Sequence, residues 1–586
     1  MSGHKKIFAI FLSVLGVLAA LTSVYAVRKP AETLKIGAIL PEGALSPFFS
    51  DTEDSRRILD LCFEPLACLD RAGNILSPSE NGFESCYQGV NYLYEGIAEL
   101  KIEKDEEANK TKYIWTLSDG VCFQDGHEAD ADDIIFTYYV FLDPAYAGPC
   151  TACAVPIEGL DEYRAGNAEN ISGIRKIDEK SVEITVKSLG SRYASMLSVP
   201  LCPLHYYGNA AKYDYAENRF GFPKGDLSSV KKRSLPLGTG PYRPVSRDEK
   251  QLLLRANEYF HGGEPLTSRI VFTPCMPSEC IEAIADGRID MAFPTLGAEL
   301  ERQIRAVNTN ANLYGDKLRT LSYESGDYGY IGINADRVNV DGRRGSAESK
   351  ALRRAFATVF SYFALRDIPA YFGDNAAIEN AAFLACPDGT PLFPPDASLK
   401  EKRESVKRAA LAFLEKAGYT VSDGIVTQAS EGARLSYTAL FCGEGTGSHP
   451  CAKLLASASA LLEEIGVGLE IRDLHTDAEL WQAISEGEAE IFCAAWENPE
   501  AFALYHSSSS IASRFFGLSD IALDRILEGT ADGGAVKRIV NSWSVEIPVY
   551  RRAETLVYSA ERVENLVHNP TKFHSWLSEA SRLKKR

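Results

Sequence analysis

Residues 113–142 read YIWTLSDGVCFQDGHEADADDIIFTYYVFL, and the hydrophobic period of this stretch changes halfway along it. Tyr113, Trp115 and Leu117 alternate with other residues, the two-residue period of a half-buried strand. Gln124-Asp125-Gly126 follows as a turn, since glycine accepts a left-handed backbone without steric cost. Asp130 is placed to cap a helix, with Asp132 and Asp133 in a first turn where the helix dipole favours negative charge. Ile135, Tyr138, Tyr139 and Leu142 then fall at i, i+3, i+4 and i+7 and make one apolar face. Strand, tight turn and capped helix in succession predict mixed α/β layers.

The same grammar recurs on both sides. Cys280 to Asp286 reads as a helix stopped by Gly287, after which Ile289, Met291 and Phe293 alternate as a strand. Val406, Ala410, Phe413, Leu414 and Ala417 line one helical face, and Gly418 ends that helix in a left-handed cap. Leu455, Ala458, Leu462 and Ile465 repeat the pattern before Gly466, with Val467, Leu469 and Ile471 alternating beyond. Thr476 with Glu479 forms a capping box, a helix runs to Gly487, and Ile491 to Trp496 reads as a buried strand. The glycines of Leu237-Gly238-Thr239-Gly240-Pro241-Tyr242 invite comparison with a phosphate cradle. That reading fails, because the cradle needs wider spacing, a Lys and a following helix, and Pro241 and Pro244 break any helix. A tight turn leading into a strand is expected instead.

The chain has 586 residues, more than one hydrophobic core usually organises, so two or three lobes are expected. A formal net charge of -18 excludes the basic field that a nucleic-acid partner requires. No HExxH, no i, i+4 histidine pair and no GxSxG elbow is present, so no catalytic residue, metal ligand or cofactor is assigned. The histidines, among them His127, His205, His449, His475 and His506, read as scattered single residues. Thirteen cysteines read mostly as small buried hydrophobes, with local disulfides Cys150–Cys153, Cys62–Cys68 or Cys442–Cys451 as the alternatives. Lys5 and Lys6 precede an apolar run from Ile7 to Ala26 that ends in Val24-Tyr25-Ala26. This is an export segment, residues 1–26, either a cleaved signal peptide or a retained membrane anchor.

Nine blocks in order resemble the bacterial extracellular solute-binding proteins of family 5. They begin with Cys62-Phe63-Glu64-Pro65-Leu66, Asp70, Gly73 and Pro78. The most specific is the strand–turn–helix of Tyr113–Leu117, Gly120–Gly126 and Ala131–Phe136. Gly238–Tyr242, Leu254–Asn257 with Pro265, Ile284–Asp290, Ile331–Asn334, Leu352–Phe356, Ala410–Tyr419 and Ile547–Tyr550 complete the series. The resemblance implies a bilobed periplasmic-binding-protein-like fold of type II, with an extra domain and two lobes around a ligand cleft. It places lobe I at residues 27–60, 172–290 and 546–586, an inserted domain at 61–171 and lobe II at 291–545.

What the resemblance implies about function is capture of oligopeptides outside the cytoplasm and delivery to ABC permease subunits in the membrane, by a monomer. A non-peptide ligand on the same fold (nickel chelate, opine or sugar) and an exported hydrolase are the alternatives. Peptide binders of the family carry an acidic residue shortly after a strand-ending tryptophan, where it pairs with the ligand's α-amine. Here that strand ends at Trp496, followed directly by Glu497-Asn498-Pro499, a shorter segment than in those relatives. Glu497 is either the acidic anchor or an exposed turn residue, and Trp496 either stacks on the ligand or packs the cleft wall. Asn498, Tyr328 and Tyr330 complete the candidate ligand site.

Overall fold

A computed structural model describes residues 33–566 and 581–582, leaving out positions 42, 51, 72, 88, 95, 149, 192, 234, 444, 446 and 448 and the stretches 80–81, 374–375, 379–380, 497–501 and 529–532. The export segment therefore lies outside the described residues. Among the described residues no helix is long and apolar enough to cross a membrane.

The strand–turn–helix stretch folds as its pattern predicts. Lys110–Leu117 is a strand between Ala98–Asp105 and Ser181–Val186, with Ile174–Lys176 on the far side, making a four-stranded antiparallel sheet. Tyr113 and Trp115 are fully enclosed. Asp130 caps the Ala131–Leu142 helix by accepting from the Asp132 and Asp133 N–H groups, while Asp133 accepts in return from the Asp130 N–H. One expectation was too narrow. The helix is buried nearly all round, from Asp133 to Leu142, not on a single face, because it lies between that sheet and the segment around Leu204–Tyr207.

A second sheet has eleven strands among the described residues: β1 Leu34–Ala38, β2 Tyr242–Arg247, β3 Leu252–Ala256, β4 Arg269–Pro274, β5 Met291–Ala292, β6 Leu318–Ile333, β7 Ala376–Ala377, β8 Ser436–Cys442, β9 Gly468–Leu474, β10 Ile491–Trp496 and β11 Glu546–Ser559. Their spatial order is β2-β3-β4-β1-β5-β11-β6-β10-β8-β9, with β7 also against β11. β1 is parallel to β4 and β5, β8 is parallel to β9 and β10, and the long strands β6 and β11 run antiparallel between these halves.

Those two strands pass from one set of apolar cores to another. Leu556, Tyr558 and Val563 belong to a core otherwise built from residues between Leu34 and Met291, and Leu318 and Val557 join a smaller one around Ile284 and Ile304. Ile331, Ile333, Ile547 and Val549 belong to the core packed under the Ala347–Phe372, Leu399–Lys416 and Ala452–Glu464 helices. Tyr328, Tyr330 and Val545 face a third, aromatic core with Phe492, Phe516 and Trp543. The lobes are thus separate hydrophobic bodies strung on β6 and β11.

Three of the quoted sequence blocks meet at Gln124, which is 4% exposed. Its side-chain amide donates to the Cys62 and Tyr242 carbonyls at 2.7 and 2.8 Å and accepts from the Gly238 N–H at 3.2 Å. The Gly238–Tyr242 segment is the tight turn into β2 that its prolines predict. A Cβ on Gly238 would stand 2.4 Å from the Cys62 carbonyl oxygen, so the close approach requires glycine. Two further block residues also pin backbone. Asp290 accepts from the Lys35 N–H and pairs with Arg562 at 2.9 Å, both side chains buried. Arg353, fully enclosed, donates to the Trp543, Val338 and Arg344 carbonyls at 2.8, 3.0 and 3.0 Å.

Elsewhere the local readings needed adjustment. Thr476 caps its helix at the Glu479 N–H, but the Glu479 carboxylate accepts from His475, one residue earlier than a capping box requires. The Ile289–Phe293 alternation yields only the two-residue β5, a short rung between β1 and β11. Cys150 and Cys153 carry free thiols, and Cys153 Sγ donates to the Phe141 carbonyl at 2.9 Å.

Candidate functional site

The β6–β11 ladder is interrupted where it meets β10. Glu324 stands opposite Ala553 and Tyr328 opposite Arg551, so four steps along β6 match two along β11. A second irregularity follows between Gly329 and Tyr330. Bulges of this kind bend a strand and re-aim its side chains. In this region β6 also pairs with β10, which sets Tyr328 directly opposite Trp496 and Tyr330 opposite Ala494. Gly329 lets the Tyr550 ring lie against the strand, since a Cβ there would come within 2.3 Å of it.

Beneath this crossing lies a buried acid held by two phenols. Glu546, 4% exposed, accepts from Tyr505 at 2.6 Å and from Tyr328 through a short hydrogen bond. Burial first, and then the Glu546 charge, push both tyrosines above their ordinary range, so they remain neutral donors. The Arg551 guanidinium lies 5.8 Å from the centre of the Tyr328 ring. This network ties the start of β11, the bulged part of β6 and the Phe502–Tyr505 turn into one unit beside the end of β10. Its cross-links run from two phenol hydroxyls to a single carboxylate.

The sequence-derived site residues are distributed around this unit. Tyr328 is 8% exposed and Tyr330 fully enclosed, with Tyr330 packed edge-on against Phe492 at 6.2 Å and tilted against Phe516 at 6.0 Å. Trp496 is the last residue of β10, its backbone paired with Tyr328. Glu497 and Asn498 lie outside the described residues. Glu546, Tyr505 and Arg551 were not singled out from the sequence. A lone Glu in the apolar run Val545 to Val549 was the available signal for the first, because a charge inside a strand of that kind needs buried partners.

The profile of the bacterial extracellular solute-binding proteins, family 5 (middle part), matches residues 96–510. The chain belongs to this family. Its members are solute-binding proteins of the extracellular or periplasmic space, and the bilobed α/β architecture described above is theirs. The oligopeptide-binding protein OppA of Lactococcus lactis subsp. cremoris is 24% identical over 279 residues, 46% of this chain and 43% of that protein. The matched stretch thus spans less than half the length of this relative. Among solved structures, lactococcal OppA in its closed conformation with an endogenous peptide superposes with a TM-score of 0.65 at 16% identity, covering 94% of this chain and all of that one. NikZ from Campylobacter jejuni in complex with Ni(L-His) gives 0.60 at 17% identity, with 94% and 100% covered. At such identities the family 5 likeness carries the fold.

Proposed function

We propose that the chain captures oligopeptides outside the cytoplasm and hands them to the membrane permease of an ABC importer, its export directed by residues 1–26. The observation that supports this most is the bulged crossing of β6 and β11, where two separate bodies of core are joined beside Trp496. A ligand touching both bodies favours the closed form by the difference between its contacts in the two forms. In this reading the end of β10, Trp496 with Glu497 and Asn498, touches the ligand. Tyr328 and Tyr330 form the wall behind it, held by Glu546. Glu497 supplies the carboxylate for a peptide's free amine, which a desolvated site requires as a counter-charge. Lobes at 27–60, 172–290 and 546–586 on one side and 291–545 on the other, with 61–171 as an inserted domain, are the units that close.

A nickel–chelate reading on the same fold is kept because the segment from Trp496 to Pro499 is short and because the NikZ likeness is of similar quality. Mass spectrometry of ligand released by denaturing natively purified protein separates the two. A mixture of short peptides is expected; a single metal complex or another non-peptide species overturns the peptide assignment.

A further inference from the structure

The histidines that read as scattered single residues include two that folding brings together. His127 leaves the turn that follows the Lys110–Leu117 strand, and His205 lies in the short Leu204–Tyr207 helix. Between them stands Asp125. Its Oδ2 is 2.7 Å from His205 Nε2 and its Oδ1 is 3.1 Å from His127 Nδ1. The two imidazole rings lie 4.1 Å apart at 32°. One ligand atom from each of the three residues falls within 4.8 Å of the other two. Asp125 and His127 are exposed and His205 is half-buried, so a solvated ion has access.

The donors sit on a stiff support. Asp125 belongs to a turn closed by hydrogen bonds from the Phe123 N–H to the His127 carbonyl and from the Gly126 N–H to the Phe123 carbonyl, at 2.8 and 2.9 Å. The neighbouring Gln124 is locked into the three-block joint, and the Asp125 carboxylate also accepts from the His127 N–H at 3.2 Å. On the other side, the Leu204 N–H is held by Asp133 at 2.8 Å, and the edge of Phe123 packs on the His205 ring at 5.8 Å.

Imidazole nitrogen is a common ligand of divalent transition ions. Two imidazole nitrogens and one carboxylate are the donor set of first-row divalent transition ions; calcium and magnesium prefer oxygen alone. We propose that Asp125, His127 and His205 form a surface site for a divalent transition ion of the zinc or nickel class, with water completing its coordination. The site shares no residue with the β6–β10–β11 crossing, and it does not depend on what the cleft binds.

The test uses the full chain without an affinity histidine tag, stripped by chelator and then equilibrated with Zn²⁺ alone, and separately with Co²⁺ as a spectroscopic probe. One equivalent of zinc is expected, retained against excess Mg²⁺, together with a cobalt spectrum of nitrogen and oxygen ligation lacking a thiolate charge-transfer band. Removing even an outer partner of a metal ligand costs roughly 10–100-fold in affinity, so the His127→Ala/His205→Ala variant should weaken zinc binding at least about tenfold. Asp125→Asn keeps the turn's acceptor and should weaken binding without altering the thermal unfolding curve. A thiolate band, zinc affinity unchanged in the double variant, or no zinc retained by the wild-type chain would each overturn the assignment.

Discussion

The joint around Gln124 and the crossing of β6 with β10 and β11 are both places where distant segments meet, but they are built in opposite ways. At the joint, one side chain satisfies three backbone groups from the Cys62 and Gly238–Tyr242 segments. Arg353 does the same for three carbonyls, and Asp290 anchors the Lys35 backbone. At the crossing, the ladder is broken twice and the contacts run from side chain to side chain, Tyr328 and Tyr505 onto Glu546. A backbone group in an apolar interior has no substitute partner, so the first kind of joint fixes the fold. The second kind tolerates rearrangement, as the closure proposed above requires.

On this contrast, changes at the backbone joints lower stability and leave the affinity of the folded protein alone, whereas changes at the crossing act mainly on affinity and cost little stability. The largest effect is expected from Arg353→Met. It leaves two buried carbonyls and one half-buried carbonyl without their donor and should cost about 3–5 kcal/mol in denaturant unfolding. Ligand affinity reduced in step with stability would break the contrast.

The next effect depends on pH. Burial first, and then the Asp130 charge, push Asp133 from its ordinary 3.8 up to about 8. A raised folded-state value means that folding favours the neutral acid. Its contribution is full below about pH 4 and is lost as pH rises towards 8, by at most about 1.4 kcal/mol per pH unit. Asp133→Asn should flatten that slope in unfolding curves taken at several pH values; an unchanged slope would show that Asp133 is ionised in the fold. At the crossing, Trp496→Ala should weaken ligand binding by about 2 kcal/mol while one cooperative unfolding transition persists. Unchanged affinity would remove Trp496 from the ligand site. The smallest effect, about 1 kcal/mol of stability, is expected from Tyr505→Phe, which removes one donor to Glu546 and keeps the ring. A closed form more strongly perturbed than the open one would sharpen the view that this network sets the hinge.

The division also explains what could be read from the sequence. The strand, turn and capped helix of residues 113–142 are local, and so is the glycine turn before β2; both were legible from spacing alone. The Ala131–Leu142 helix looked one-sided because periodicity records one face and does not show that Leu204–Tyr207 covers another. Gln124, Asp290 and Arg353 stood inside recognisable blocks, but their partners lie far away in the chain. Glu546 with Tyr505, and His127 with His205, depend wholly on long-range packing and left no pattern of spacing. Of the candidate ligand residues, the backbone pairing of Tyr328 with Trp496 is described, while Glu497 and Asn498 lie in the stretch that is not.

The most direct measurement is a titration of ligand-stripped full chain with short unmodified peptides of varied sequence, following heat of binding and small-angle X-ray scattering together. The account predicts saturable one-to-one binding, a smaller radius of gyration at saturation, and recovery of each peptide uncut. Saturable binding without compaction, no binding by any peptide, or cleavage of the peptides would contradict it.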